Sequence, residues 1–345
     1  MYKFHRYNLI RYDISSPSIA YKLFVRSLYD YAIVKEETSS GVTTRGYFVA
    51  AKGLETSWNN RASLTYSSDI KGRKLLNEGQ SWLIANGGGE SYSYLLDDYS
   101  GATAAYSLRL LNSSYSGDAI IVRRSSDNAT QSIGFSDNIL DTAALSTFCS
   151  GTNGFVATWF DQSGNGYNAT QTTASQQPKI FDGIDGIVLQ NGKPSIQFDG
   201  DDDQFEMNSL AGQSRLDTYF VVDTNDTTYL YPFGDNFQSE YGFVSQQGST
   251  STLLTNNYGT PDLYANSVLF TGTTRDDIYN FLNGSKLVVH QNADTSNWLE
   301  YKFGNYTTVS LSFSGKLQEF IAYNSDESSN RNGIETNINN FYSIY

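Results

Sequence analysis

Apolar positions in this chain cluster in short runs rich in β-branched and aromatic residues, broken by Gly, Asn, Ser and Asp. Such runs fit a pleated, half-buried surface, so the pattern predicts strands and an all-β protein. Ala20 to Lys35 reads as strand, and Thr38-Ser39-Ser40-Gly41 as a hairpin turn into a further strand, Arg45 to Ala51. Val156 to Phe160 is a strand that runs into Asp161-Gln162-Ser163-Gly164-Asn165-Gly166. The two glycines there accept positive φ, and the Asp, Ser and Asn side chains can satisfy backbone donors, which predicts a sharp, self-capped turn. Thr218 to Asp223 reads as a strand buried on both sides, and Phe313 to Tyr323 as the last core strand. Ile278–Leu282 and Lys286–His290, joined by Asn283-Gly284, predict a tight hairpin.

Helical spacing is rare. Asp141 to Phe148 predicts a helical turn capped by Asp137 or Asp141. Ile334, Ile338, Phe341 and Tyr342 fall on one helix face, so Ser329 to Tyr342 predicts a short helix packed across one end of the fold.

Composition sharpens this picture. Aromatics reach 14%, with 26 Tyr and 20 Phe, which suits strands and also surfaces that touch sugars or proteins. The net charge of −13 resides after residue 98, since the first 98 residues hold slightly more basic than acidic groups. An acidic body repels phosphate, so nucleic-acid binding is not expected. No run of about 18 apolar residues predicts a membrane span. Cys149 is the single cysteine, and Met1 to Tyr7 carries no signal-type apolar core, so synthesis in a reducing cytoplasm is expected.

The 155–180 stretch, with its Trp159-x-Asp161-Gln162-Ser163-Gly164-x-Gly166 turn and later Gln177-Pro178-Lys179-Ile180, resembles the α-L-arabinofuranosidase B catalytic-domain family. Further similar segments are Gly101 to Arg109, Ala119 to Ser125, Thr147 to Cys149, Lys193 to Gly200 and Gly315 to Phe320. The resemblance implies a concanavalin A-like jelly-roll β-sandwich over residues 99–345; residues 1–98 do not share it and read from their own strand patterns as a smaller β-rich module, and the spacing above adds the short helix at the end. The resemblance also implies two carboxylates, a nucleophile and a proton donor. At the comparable places stand Glu240, the weak catalytic candidate, and Asn305, which cannot supply a proton. A non-enzymatic protein is therefore expected.

Candidate sites follow. Trp298, Tyr241 and Asp235 are candidate glycan contacts, with Trp298 as the exposed stacking ring and Trp159 as core. Asp199, Asp201 and Asp203 offer hard oxygens of the kind Ca²⁺ takes; no other cofactor is expected. Asp161, Gln162, Ser163 and Gly164 read as a structural turn. His5 and His290, the two histidines, form no readable catalytic or metal cluster. A glycan-type fold without secretion signal or disulfides, behind an unmatched front module, predicts a bacteriophage virion protein. In that reading residues 1–98 dock onto other virion proteins, the copies form a homo-oligomer on the particle, and the outer domain meets cell-surface or environmental glycans. The alternatives are a glycoside hydrolase with a rebuilt site and a purely architectural subunit.

Overall fold

A computed structural model of the chain describes the backbone of strands between residues 8 and 66. From residue 94 onward it describes the chain except for 137, 225–228, 231–232, 236–239, 242–244, 252–257 and 307–310. The chain divides into two compact units, residues 1–92 and 93–345.

In the first unit six antiparallel strands pair in sequence order: Asn8–Ile10, Ile19–Ser27, Asp30–Ser39, Val42–Ala51, Trp58–Asn60 and Leu64–Tyr66. Ser39 pairs with Val42 at the end of the two longest strands of this unit; Ser40 and Gly41 of the expected turn lie outside the described residues.

The second unit is built around the strand Ser314–Tyr323. One edge of it pairs with Leu216–Thr224, from Asp217 opposite Tyr323 to Thr224 opposite Gly315. Its other edge is shared: Ile196–Asp199 pairs with 314–317, and Ala104–Ser107 pairs with 319–322. The sheet continues past Leu216–Thr224 to Gly284–Ala293 and Asp262–Ala265. On the other side it continues from Ile196–Asp199 through Lys179–Asp182 and Gly154–Trp159 to Ile120–Arg124 and Thr130–Ile133.

Side chains alternate between the two faces of a strand, and both faces of the three central strands are buried. That is why Thr218 to Val222 reads as a continuous apolar run. Phe220, Val288 and Phe320 point into the larger core, with Tyr106, Trp159, Phe198, Phe205, Phe303 and Phe313. Tyr219, Val221, Leu287, Val289, Ile321 and Tyr323 form the opposite face. The helix Arg331–Tyr342 covers that second face with Ile334, Ile338 and Tyr342, while Phe341 is partly buried. It lies against the flat of the central strands, where the spacing had suggested one end of the fold. Leu95 and Leu96 of the short helix Leu95–Asp98 join it.

Two local expectations resolve differently. Asp141 caps the helix Thr142–Phe148, accepting from the Ala143 and Ala144 amides at 3.1 and 2.9 Å, as expected of a short polar side chain at that position. The predicted hairpin strand Ile278–Leu282 is instead part of a helix, Arg275–Leu282. Thr274 and Asp277 form a reciprocal capping box at its start, which satisfies the first amides and fixes the helical turn. Ile278, Tyr279 and Leu282 then share its buried face. Asn283 ends the helix and Gly284, at φ 86°, opens the next strand.

Candidate functional site

The Asp161 turn is a latch. Its carboxylate accepts from the buried Ala105 amide (2.8 Å), the Ser163 amide (2.9 Å), the Ser163 hydroxyl (2.7 Å) and the Tyr167 amide (3.0 Å). Gln162 does the same work one residue on. Its Oε1 accepts from the Leu111 amide at 2.8 Å, and its Nε2 donates to the Ser107 and Arg109 carbonyls. Together they tie the turn to the strand Ala104–Ser107 and the segment after it. Gly164 and Gly166 hold φ of 94° and 76°, which side chains with a Cβ rarely adopt.

The outer side of this turn forms one wall of an open cleft of about 270 Å³. Asn165 and Tyr167 face Thr103, Ser209, Gln213 and Asn324, with the backbone of Gly101 and Ala102 beside them. Asn165 Nδ2 donates to the Ala102 and Thr103 carbonyls, and the Tyr106 hydroxyl donates to the Tyr167 carbonyl. The wall is preformed, because the Asp161 carboxylate and the Tyr106 hydroxyl hold the backbone of Tyr167 at its amide and its carbonyl. Sequence reading found the turn but not the cleft, whose far wall comes from loops more than forty residues away.

The two family-comparable segments come together. Phe233–Asp235 pairs with Glu240–Tyr241, setting Asp235 opposite Glu240, and also with Lys302–Phe303. Asn305–Tyr306 follows directly and pairs with Leu311–Ser312. Asp235, Glu240 and Tyr241 thus stand on paired strands of the large sheet, and Asn305 on a separate two-stranded ladder that starts just beyond Phe303.

The acidic run lies beside it. Oxygens of Asp199, Asp202 and Asp203 lie within 4.8 Å of one another, so Asp202 takes the place expected for Asp201. Asp201 is exposed, donates its amide to Asp199, and accepts from the Ser312 hydroxyl through its carbonyl. The reversal comes from the turn: Gly200, at φ 83°, swings Asp201 outward. Three carboxylates fall short of the six to eight oxygens Ca²⁺ takes, so carbonyls or water would have to complete such a shell. Asp203 is 6% exposed and accepts from the Asp199 amide at 2.9 Å. Burial, then the neighbouring Asp199 and Asp202, push its carboxyl up to about 7. Its carbonyl lies against Gly304: a Cβ on Gly304 would come within 2.5 Å of that oxygen.

Trp298 is no surface platform. It is 2% exposed and stacks on Tyr258 at 5.3 Å between ring centroids, with Tyr301 at 5.4 Å. Its polar neighbours Asn297 and Glu300 suggest exposure, but the ring itself turns into the core. Trp159 is fully buried, as expected. His290 pairs Nδ1 with the Tyr258 hydroxyl at 2.8 Å, and burial pushes its pKa down to about 3, so it is neutral and structural.

One charged pair escaped the sequence reading. Arg109 and the fully buried Glu319 meet through Nε–Oε2 at 2.7 Å and Nη2–Oε1 at 2.9 Å. Ser107 and Tyr342 donate hydroxyls to the same carboxylate at 2.7 and 3.2 Å, and Arg109 Nη1 donates to Asn337 at 2.9 Å. The pair bolts the last helix to the central strand. A lone charge inside an apolar run, at both positions, is the signal that marks it.

A family model described as "Alpha-L-arabinofuranosidase B, catalytic" matches residues 97–191. No curated protein matches the chain. Among solved structures, the chain is similar to an arabinofuranosidase complexed with arabinofuranosyl-α-1,2-xylobiose. That likeness has a TM-score of 0.48 and 18% identity, over 71% of this chain and 64% of that one. A GH54 α-L-arabinofuranosidase soaked with a cyclic sulfate inhibitor gives 0.46 and 17%, with the same coverage. Trypanosoma rangeli sialidase in complex with the inhibitor DANA gives 0.31 and 9%, over 95% of this chain and 45% of that one. The chain thus spans less than two thirds of the arabinofuranosidase chains. The family match covers the Asp161 latch and one wall of the cleft, and ends before the 233–241 and 302–306 segments.

Proposed function

We propose that residues 93–345 form a glycoside hydrolase of the arabinofuranosidase type, directed at arabinofuranosyl-bearing glycans, with a rebuilt acid/base arrangement on a concanavalin A-like jelly roll. The observation that carries this reading is the family-model match over residues 97–191, where the Asp161 and Gln162 latch lies. Glu240 is the nucleophile in this reading. Asn305 cannot give a proton, and Asp203 takes that role in this reading: burial beside Asp199 and Asp202 raises its carboxyl to about 7, so about half of it carries a proton at neutral pH, and its backbone abuts Gly304. A retaining pair needs its carboxyl groups about 5–5.5 Å apart, so the proposal requires the 233–241 hairpin to bring Glu240 to that distance from Asp203.

The test is turnover of 4-nitrophenyl α-L-arabinofuranoside by the full chain. Glu240→Gln and Asp203→Asn should each lower kcat by about 10²-fold or more while the fold persists. Turnover unaffected by either substitution refutes the assignment. A second reading, glycan binding without turnover, is favoured by Asn at position 305; binding of arabinofuranosyl oligosaccharides with no hydrolysis would select it. The virion-display reading, with residues 1–98 docking onto particle proteins, rests on the sequence features alone, and the family match favours the hydrolase.

A further inference from the structure

We propose that Asn191 is a site of spontaneous covalent modification, deamidation through a succinimide, and that the other described Asn-Gly pairs are shielded from it. The inference is independent of the hydrolase reading. In an Asn-Gly pair the amide nitrogen of the glycine can attack the side-chain carbonyl carbon of the asparagine, and no Cβ on the glycine blocks the approach. Five such pairs lie among the described residues, at 153–154, 165–166, 191–192, 283–284 and 332–333. Their surroundings differ enough to rank them.

Four of the five are protected. Gly154 is buried in the strand Gly154–Trp159, and Asn153 Oδ1 accepts from the Gly183 amide at 2.9 Å. The Gly284 amide is committed to the Thr224 hydroxyl at 3.1 Å. Asn332 and Gly333 lie in the helix Arg331–Tyr342, where side chains tilt toward the helix N-terminus and so away from the next amide. Asn165 is exposed, but its Nδ2, the group that must leave, donates to the Ala102 and Thr103 carbonyls at 3.1 and 3.0 Å. Asn191 has none of these shields. With Gly192 it forms the exposed two-residue turn, at φ 49° and 71°, between the paired Gln190 and Lys193. Among the described residues no acceptor takes the Gly192 amide proton, and Asn191 Nδ2 has one long contact, to the Ser285 hydroxyl at 3.3 Å. The ladder beside the turn is pinned separately, since Gln318 Nε2 donates to the Gln190 and Pro194 carbonyls at 3.0 and 3.1 Å. Modification of the turn therefore leaves the central strands in place.

The reaction needs only water and base. Hydroxide takes the Gly192 amide proton, the nitrogen bonds to Asn191 Cγ, and the Cγ–Nδ2 bond breaks with release of ammonia. Water then opens the ring at either carbonyl, giving aspartate or isoaspartate. Both products lose the donor to Ser285 and gain a negative charge. Isoaspartate also adds a methylene to the backbone of a turn that has only two residues between its paired neighbours.

Peptide mapping by mass spectrometry tests the site, on the full chain held in mildly alkaline buffer, folded and in urea. In the folded chain Asn191 should convert about tenfold or more faster than Asn165, the factor to which two hydrogen bonds of ordinary strength correspond. In urea the five sites should convert at similar rates, because folding alone separates them. The rate at Asn191 should rise with pH, and aspartate and isoaspartate should both form there. Conversion at any of the other four sites that matches Asn191 in the folded chain overturns the proposal, as does an equal spread of rates in the folded and the denatured chain. A rate at Asn191 that ignores pH, or aspartate as its sole product, overturns the succinimide route.

Discussion

Arg109→Met should destabilise the second unit by about 3–5 kcal/mol, because it strips a fully buried carboxylate of its counter-charge. The magnitude follows from what Glu319 keeps. It loses both guanidinium bonds, at 2.7 and 2.9 Å, and retains only the hydroxyls of Ser107 and Tyr342. Glu319→Leu should cost a similar amount, by leaving a guanidinium at 5% exposure with Asn337 as its remaining polar partner among those named above. The double substitution should be far milder than the sum. Ser107 still meets the Tyr342 hydroxyl and the Arg109 amide, and Tyr342 can donate to the Gln318 carbonyl at 3.2 Å. A cost of about 1–2 kcal/mol then remains for the double variant, so the coupling energy should be several kcal/mol and favourable. Urea denaturation followed by circular dichroism gives all four corners of the cycle. Hydrogen exchange adds a local readout, since the helix Arg331–Tyr342 should lose protection in Arg109→Met before the strands do. A coupling below about 0.5 kcal/mol would refute the reasoning, because the pair would then behave as two independent sites.

Other expectations are simpler. Asp161→Ala should cost about 2–4 kcal/mol, chiefly because the Ala105 amide is left buried without an acceptor, and Asp161→Asn should cost less; thermal melts measure both. Asp203 makes stability depend on pH with a definite sign. Its folded pKa, about 7, lies above the ordinary 3.8, so the folded state holds the extra proton and stability falls as pH rises from about 4 to 7. The fall is about 4 kcal/mol at most, and Asp203→Asn should flatten it in melts taken across that range. Trp298→Ala should cost about 3–5 kcal/mol by opening the Tyr258–Tyr301 stack; a fully stable variant with selectively lost glycan binding would contradict its core position. Thr274→Ala should cost about 0.5–2 kcal/mol by removing the cap, measured by the same melts.

The strands were legible where burial is two-sided or where turn residues stand between runs. Thr218 to Val222 and the Ser39–Val42 hairpin needed only local chemistry. The 278–282 segment misled because Asn-Gly between apolar runs is a hairpin signal, while the Thr274–Asp277 box, three residues apart and further upstream, decides for helix. The site was less legible for a different reason. Trp298 among polar neighbours and Asp201 among acidic ones each point the opposite way from what adjacency suggests, and only φ at Gly200 or a stacked Tyr258 reveals it. The cleft and the Arg109–Glu319 pair join positions many residues apart, which no spacing rule connects. The isolated charges in Ser-Leu-Arg-Leu-Leu and Leu-Gln-Glu-Phe-Ile nevertheless mark two side chains that must find partners.

The strand that three earlier strands share as their common partner, Ser314–Tyr323, is among the last described segments to leave the ribosome. Ala104–Ser107 must wait through some two hundred residues of synthesis before its neighbour exists. Completion of this unit's central sheet is therefore expected only after Ser314–Tyr323 has been synthesised, and to be slow, as for other proteins dominated by distant pairings. Until then its aromatic runs are exposed, which makes the nascent chain a client for holding chaperones.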